Sequence, residues 1–396
     1  MRVTIPIILA SLLPFGGARP STTRPSISIL TANHNSLGSL PRGKTQLSHD
    51  DMLEIGRMAI AINSAYCPKQ NKLQPHPPNS FISQLRNSRR HRESQHPHME
   101  ESSIIVSSED PEYIDDQSTG GDMKWYISHT PSTQTLTLAL SSLPSTDDLL
   151  ELLASSPPDN QTLVPFQNLL FPFEHLSPSS VEEKPKIHHV YVDAIQSHGN
   201  SAMLALLELI ENPPLTITSS VHKDIIKEYV TALTQPLPAV RQAPIRRIEI
   251  IGHGLGSVVG LMVSLALQLE RPSPSKDSIE ITANLLGMPR IGNTHFAHLV
   301  DQFTQHHGKR NHPSLRFNRI ISYFDTIAHL PERHLGLEHH SNNEFWIGPD
   351  PRVVYWCKSP VGREECSEGV KLGKTSLMDH LGPYGGVWLD PHCKVE

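Results

Sequence analysis

A glycine-rich turn near the middle of the chain carries the clearest chemical signal in the sequence. The stretch IRRIEIIGHGLGSVVGLMVSLALQL predicts a buried strand, a tight turn and an amphipathic helix. At such a turn the central residue takes a positive φ, and its side chain stands above the sheet edge, where a serine would be a nucleophile. The central residue here is Gly254, between Gly252 and Gly256. The predicted turn therefore has a place for a nucleophile but no hydroxyl to fill it.

Glycine suits this turn sterically while removing its chemistry. Because glycine has no Cβ, it adopts a positive φ without the strain of roughly 1 kcal/mol that serine would carry. Ser257, in the first turn of the following helix, points elsewhere and is a poor substitute. A dinucleotide-binding turn, G-x-G-x-x-G, is the alternative, but the glycines after Gly254 are Gly256 and Gly260, and no suitable acid follows about 20 residues later. We therefore reject the nucleotide-binding interpretation.

Strands and helices alternate around this turn. Patterns typical of strands are KWYISHT and QTLTLALSS, joined by the hairpin TPSTQ, and then IHHVYVDAI, IEITANLLGMP and RFNRIISYFD. Helices are predicted at SHDDMLEIGRMAIAINSAYC, at NSAMLALLELIENPP, from about Val221 to Leu237, and at GNTHFAHLVDQFTQHH. This alternation predicts an α/β fold with a mostly parallel sheet covered on both faces. Residues 144–187 suit either an amphipathic lid or a surface loop partly tucked into the core.

Several of these motifs together resemble the class 3 lipases, a family of extracellular fungal triacylglycerol lipases. IIGHGLGSVVGLMVSLAL is similar to that family's V-x-G-H-S-L-G-G-A-x-A turn, and LLGMPRIGNTHFAHLVDQ to its F-G-x-P-R-V-G-N-x-x-F-A segment. RIISYFDTIAHLP, NEFWIGPD and SLMDHLGPYGG resemble three later motifs. The resemblance implies an α/β-hydrolase fold, a triad acid at Asp325 and a triad base at His380. The nucleophile position falls on Gly254, and the chain order is that of α/β-hydrolases.

The resemblance fails where the chemistry would be. It places the oxyanion region at Ser142 and Leu255, yet the family's F-R-G-T/S strand end corresponds here to LALSSLPSTDD, without the Arg or Gly. The H-x-G-F strand corresponds to HVYVDAIQ, again without the glycine. We therefore expect a lipase-like protein of lipid metabolism, with an ester hydrolase scaffold, that is catalytically impaired and binds acyl lipid. The alternative is an active carboxylic ester hydrolase in which His380 and Asp325 activate water or another nucleophile.

Charge and histidine content indicate which kinds of ligand the protein could bind. Formal net charge is −6, which does not favour nucleic acid. Twenty-four histidines invite a metal hypothesis, but neighbouring histidines such as His188 and His189 on a strand would point to opposite faces, and no C-x-x-C spacing occurs. We expect no metal and no cofactor, and interpret His253 and His329 as packing residues. The expected partner is an acyl lipid or ester, and transient contact with a lipid interface is a further option.

The N-terminal segment predicts secretion. Residues 1–18 have one basic residue, an apolar run of about ten residues and small residues up to Ala18, which is typical of a signal peptide and too short for the roughly 20 residues of a membrane span. A short core strand is the alternative. We expect no transmembrane segment and an extracellular location. Residues 19–46 predict a disordered lead-in and 47–396 the lipase-like domain, in which opposite charge blocks mark 69–124 as a flexible insertion.

Four cysteines suit an oxidising compartment. Their number permits two disulfides and leaves three pairings open. The resemblance to class 3 lipases implies the pairs Cys67–Cys393 and Cys357–Cys366. Asn160 begins an N-x-T sequon, so we expect glycosylation at this residue in a secreted protein.

Overall fold

A computed structural model describes fourteen stretches of the chain: 44–46, 49–68, 102–113, 123–143, 147, 162–170, 185–214, 244–270, 279–305, 315–339, 343–348, 350, 353–357 and 366–391. All of them lie within one structural unit, Pro41–Glu396. None of the helices in these stretches is both long enough and apolar enough to cross a membrane.

The main sheet contains nine of the described strands. In chain order they are β1 (Lys44–Gln46), β2 (Ser103–Ser107), β3 (Lys124–Thr130), β4 (Thr135–Ser142), β7 (Arg247–Gly254), β8 (Glu280–Leu286), β10 (Leu315–Ser322), β12 (Glu344–Ile347) and β13 (Val354–Cys357). Their order across the sheet is β1-β13-β12-β10-β8-β7-β4-β3-β2. The five central strands, from β12 to β4, are parallel, and the strands at both edges are antiparallel. The mostly parallel sheet of the predicted α/β fold is confirmed.

A small antiparallel sheet accompanies the main one. It consists of β5 (Leu163–Pro165), β6 (Lys186–His188), β9 (Gly292–Asn293) and β11 (Leu337–Glu338), in the order β11-β9-β6-β5. The longer helices are α1 (His49–Tyr66), α2 (Asn200–Glu211), α3 (Leu255–Glu270) and α4 (Thr294–Gln305). All four helices coincide with patterns that predicted helices from the sequence.

Helices α1 and α3 cover opposite faces of the sheet. Successive side chains of a strand point to opposite faces, and in β7 Ile250 packs into the larger apolar core with α3 whereas Ile251 packs into a second cluster with α1. Helix α1 reaches this second cluster through Ile55, Met58 and Ile62, which recur at helical spacing. The end of β7, where the glycine-rich turn lies, is therefore held from both sides.

Two predictions about the N-terminal third are wrong in part. Within the segment 69–124, residues 102–113 form strand β2 and a turn rather than a solvated loop. The acidic residue Asp110 has a structural role, because its carboxylate accepts a hydrogen bond from the Ser107 N–H at 2.7 Å, and the Tyr113 ring packs edge-on against Trp125. The predicted C-terminal boundary of the disordered segment 19–46 is also wrong, because residues 44–46 form a strand that pairs with β13.

The strand predicted at IHHVYVDAI is shorter than expected. It ends at His188, and the chain continues through a 3-10 turn (His189–Tyr191), a short helical segment and a π-helical turn (Ile195–Gly199) into α2. Tyr191 and Ile195 are buried one helical turn apart, so the apolar residues of this segment follow a helical and not an alternating pattern. The helix predicted near 221–237 and the signal peptide at 1–18 lie outside the described residues.

Candidate active site

The glycine-rich turn has the geometry predicted from the sequence. Strand β7 ends at Gly254, which has φ +57°, and α3 begins at the next residue. A Cβ on Gly252 would lie 2.5 Å from the Gly256 carbonyl oxygen, and one on Gly256 would lie 2.5 Å from the carbonyl oxygen of Leu140. Only glycine therefore allows strand β4, strand β7 and helix α3 to approach so closely at this point.

Asp325 and His380 come together beside the turn. Asp325 lies three residues beyond the end of β10, and His380 lies in a 3-10 turn (Met378–Leu381). The His380 Nδ1–H donates to the Asp325 carboxylate at 2.9 Å, and both side chains are buried. The other carboxylate oxygen accepts the N–H groups of Ile327 and Ala328, at 2.8 and 3.4 Å. The two residues predicted as acid and base thus form a hydrogen-bonded dyad.

The free edge of the His380 ring faces Gly254. A Cβ built on Gly254 would lie 2.9 Å from His380 Nε2 and 2.6 Å from the Ser142 carbonyl oxygen. Nε2 is buried and has no hydrogen-bond partner among the described residues. On the other side, a Cβ on Gly287, which has φ +58°, would lie 2.7 Å from ring atoms of His380. The imidazole is therefore held between two glycines with positive φ.

A second histidine fixes the backbone of His380. His253 Nε2 lies 2.9 Å from the His380 carbonyl oxygen, and His253 Nδ1 lies 2.8 Å from the Tyr66 hydroxyl. Burial, followed by the neighbouring charge of His380, lowers the pKa of His253 well below its ordinary value. In the neutral ring Nε2–H donates to that carbonyl, and the Tyr66 hydroxyl donates to Nδ1. Tyr384 donates to the same carbonyl at 3.2 Å. His253 has the packing role predicted for it.

The two residues of the predicted oxyanion region differ in what they present. Strand β4 pairs with β7 up to its last residue, where Ser142 lies opposite Gly254. Ser142 turns its carbonyl oxygen toward the Gly254 position, and its hydroxyl donates to the Leu143 carbonyl at 3.1 Å. Leu255 begins α3, where the first N–H groups have no acceptor within the helix. Ser257 is not a replacement nucleophile, since its buried hydroxyl donates to the Gly254 carbonyl at 2.5 Å.

His329 connects Asp325 to Ser367, which follows the disulfide-bonded Cys366. Both ring nitrogens of His329 contact carbonyl oxygens, Nδ1 that of Asp325 at 2.6 Å and Nε2 that of Ser367 at 2.8 Å. The predicted disulfide Cys357–Cys366, next to Ser367, is confirmed. Cys67 is also disulfide-bonded, while its predicted partner Cys393 and the predicted glycosylation site Asn160 lie outside the described residues.

The histidine pair His188 and His189 is arranged differently from the prediction. The rings of His188 and His189 do not point apart but stack with centroids 5.0 Å apart, because the strand ends at His188 and the backbone turns there. Burial lowers the pKa of His188 to about 4. Within the described stretches, the group of residues close enough to share a metal ion is Glu344, Cys357 and Cys366, and the disulfide leaves its sulfurs without thiolate character.

Sequence reasoning missed two features of the site. The first is Gly287, whose missing side chain makes room for the His380 ring. The LLGMPR motif contains this glycine, but the motif alone does not connect it with His380. The second is the Ser142 carbonyl oxygen at the nucleophile position. No local signal reveals this oxygen, since its direction depends on the pairing of β4 with β7.

Comparisons with known proteins agree with this architecture. Residues 159–335 match the family model for lipase (class 3). A lipase of Rhizomucor miehei is 26% identical over 181 residues, which cover 44% of this chain and 46% of that lipase. A secreted mono- and diacylglycerol lipase of Malassezia globosa is 34% identical over 139 residues, covering 35% of this chain and 40% of the relative. The chain thus spans less than half the length of the curated relatives it matches.

Solved structures show the same fold. A Rhizomucor miehei lipase propeptide complex superposes with a TM-score of 0.53 at 18% identity, covering 89% of this chain and 83% of that one. A triacylglycerol lipase of Penicillium expansum gives a TM-score of 0.52 at 13% identity, covering 89% of this chain and 100% of that one. The chain has the α/β-hydrolase fold, and its resemblance to the class 3 lipases, predicted from the motifs, is confirmed.

Proposed function

We propose that the chain is a secreted lipase-like protein of lipid metabolism whose hydrolase scaffold binds acyl lipid without cleaving esters at an appreciable rate. The observation that carries the proposal is the crowding at Gly254. The Ser142 carbonyl oxygen and His380 Nε2 lie 2.6 and 2.9 Å from the place of a Cβ, closer than real Cβ contacts. The position therefore lacks both the serine hydroxyl and the volume that a serine side chain needs.

The electrostatics of the position also disfavour ester cleavage. An oxyanion is stabilised by hydrogen-bond donors aimed at the place where negative charge develops. The Ser142 side of the position presents a carbonyl oxygen, which is an acceptor and would repel that charge. Among the described groups, the N–H groups at the start of α3 remain as possible donors. In enzymes that stabilise an oxyanion, removing one hydrogen-bond donor lowers the rate by about 10²–10³.

The expected loss of activity is large. Removing the serine of a triad lowers kcat by about 10⁶, and the residual catalysis of about 10³–10⁴ over water comes from binding and the oxyanion hole. Because the Ser142 carbonyl oxygen, an acceptor, borders the same position, we expect the turnover of this chain to lie below that residual level.

The ligand and location are inferred from relatives. Several matched proteins are named secreted mono- and diacylglycerol lipases. This supports an acyl lipid as ligand, and, together with the N-terminal signal pattern, it supports secretion. Leu377 and Met378, just before His380, are exposed by 44% and 57%, which favours transient contact with a lipid surface.

A second candidate function rests on the intact dyad. His380 has its hydrogen bond to Asp325, and its Nε2 has no hydrogen-bond partner in the part of the chain that the structure describes; this arrangement can take a proton from a water molecule during general base catalysis. Under this alternative the chain is a weak carboxylic ester hydrolase.

Ester hydrolysis by the purified chain separates the two candidates. Short-chain and long-chain acyl esters would be presented at a lipid interface to the native chain and to His380→Ala. We expect neither protein to hydrolyse the esters above background. We also expect the native chain to bind a non-hydrolysable alkyl ether analogue saturably. Hydrolysis by the native chain that disappears in His380→Ala would overturn the proposal in favour of water activation.

A further inference from the structure

The place that a side chain on Gly254 would take is bordered by two hydrogen-bond acceptors. His380 Nδ1–H donates a hydrogen bond to the Asp325 carboxylate, so Nε2 presents a lone pair in the neutral ring. The Ser142 carbonyl oxygen approaches from the other side, and both atoms lie within 3 Å of the place of a Cβ on Gly254. Two acceptors that converge on one point call for a donor between them.

The neighbouring hydroxyl groups do not provide that donor. The Ser142 hydroxyl donates to the Leu143 carbonyl oxygen, and the Ser257 hydroxyl donates to the Gly254 carbonyl oxygen. The His380 side chain is 3% exposed, and its Nε2 has no partner among the described residues. A buried acceptor without a partner is unfavourable, so a ligand that supplies a donor gains affinity from satisfying it.

A ligand oxygen can occupy this position where a serine side chain cannot. A serine Cβ is fixed one covalent bond, about 1.5 Å, from Cα. A ligand oxygen is not attached to Gly254 and can stand off at van der Waals distance, about 3.3 Å, from the same Cα. Unlike a fixed Cβ, such an oxygen can adjust its position to hydrogen-bond with His380 Nε2 or the Ser142 carbonyl oxygen.

The chemistry of the position selects among oxygen groups. Helix α3 begins at Leu255, and its first N–H groups have no acceptor within the helix. A group that donates to Nε2 or the Ser142 carbonyl and accepts from the helix is a hydroxyl. A carboxylate only accepts and would meet two acceptors, and an ester or ether oxygen has no proton to give.

The geometry points to a binding site for the hydroxyl group of an alkyl amphiphile, beside Gly254 and bordered by His380 Nε2 and the Ser142 carbonyl oxygen. The inference rests on the proposed function, since it names the ligand chemistry of the same candidate active site. The alkyl chain would leave beside Leu143, which follows Ser142 in the chain and is 38% exposed. Among ligands of one alkyl length, a long-chain primary alcohol would bind more tightly than the free fatty acid or the ester, which have no hydroxyl proton to donate at this position.

Three ligands with one alkyl length test the inference. Titration calorimetry would compare 1-dodecanol, methyl dodecyl ether and dodecanoate, each below its aggregation concentration, on the native chain. We expect dodecanol to bind about three- to tenfold more tightly than the ether, the gain of one buried hydrogen bond, and dodecanoate to bind no better than the ether. His380→Phe, which keeps a ring but removes the acceptor, should abolish the difference between alcohol and ether.

Leu204→Ser serves as the control variant, because Leu204 is 64% exposed on α2, and it should keep the native preference. If the ether or dodecanoate binds as tightly as dodecanol, the hydroxyl site is wrong while lipid binding stands. If none of the three binds, the proposed function itself is wrong. Should His380→Phe not fold, the ¹⁵N signal of His380 Nε2 in the native chain decides: a shift with dodecanol and none with the ether is expected, and equal behaviour overturns the inference.

Discussion

The two sides of the candidate active site differ in how much of the hydrolase arrangement they retain. On the acid–base side, Asp325 and His380 are paired, buried and supported by further hydrogen bonds. On the nucleophile side, Gly254 lacks a side chain, and Ser142 fills part of the vacated volume with its carbonyl oxygen. A dyad that remains intact beside an altered nucleophile position indicates that its contacts also serve the fold.

The contacts of the acid–base side support this interpretation. Asp325 joins the end of β10 to the turn that carries His380, and the His380 carbonyl is held by His253 and Tyr384. These bonds tie the C-terminal segment to β7, β10 and α1. Removing them would leave buried donors without acceptors, which costs about 1–3 kcal/mol each.

The largest effect is expected from Asp325→Ala. The change leaves the N–H of Ile327 and the Nδ1–H of His380 without acceptors, so we expect the free energy of unfolding to fall by about 3–5 kcal/mol in chemical denaturation. Asp325→Asn keeps one acceptor oxygen and should lose less. Asp193→Ala, on an exposed side chain, should stay near native. A loss below about 1 kcal/mol in Asp325→Ala would show that the dyad has no structural role.

A smaller loss is expected from Gly254→Ala. The methyl group would meet the Ser142 carbonyl and His380 at a positive φ, and strain plus overpacking should lower the free energy of unfolding by about 2–4 kcal/mol. Gly373→Ala is the matched control, since a Cβ there meets nothing within 4 Å. Similar stabilities for the two variants would mean that the nucleophile side is not crowded around glycine.

The smallest effect concerns the pH dependence of stability and His253. Because burial lowers the pKa of His253 in the folded state, the unfolded chain binds its proton first as pH falls. The contribution of neutral His253 to stability is therefore fully present above the pKa of histidine in the unfolded chain, about 6.5, and is lost progressively below that pH. In His253→Gln the slope of unfolding free energy against pH below about 6.5 should be smaller by one proton, about 1.4 kcal/mol per pH unit. Parallel slopes for native and variant would contradict a neutral, buried His253.

Local patterns predicted most of the site scaffold. The turn at Gly254 could be predicted because a buried strand, spaced glycines and a helix are all encoded within about 25 residues. Asp325 and His380 were predicted only through the resemblance to the class 3 lipases, and the structure brings them together. Neither residue has a local pattern of its own that would have revealed the pairing.

What the sequence did not predict depends on contacts between distant segments. The Ser142 carbonyl is directed by the pairing of β4 with β7, and Gly287 matters because His380, 93 positions later, packs against it. Strand β2 was missed because its few apolar residues lie within an acidic run, and Asp110 is satisfied by the Ser107 N–H. Contacts of this kind between distant segments can be identified only in the folded structure, where the pairing of the strands is known.

The most direct test of the central claim is the activity and stability of Gly254→Ser. The claim is that the nucleophile side is reshaped around glycine, so restoring the hydroxyl does not restore the enzyme. We expect Gly254→Ser to hydrolyse acyl esters no faster than the native chain and to unfold at a lower denaturant concentration. Native-like stability together with ester hydrolysis that His380→Ala abolishes would contradict the claim and would mean that the site lacks nothing but its nucleophile.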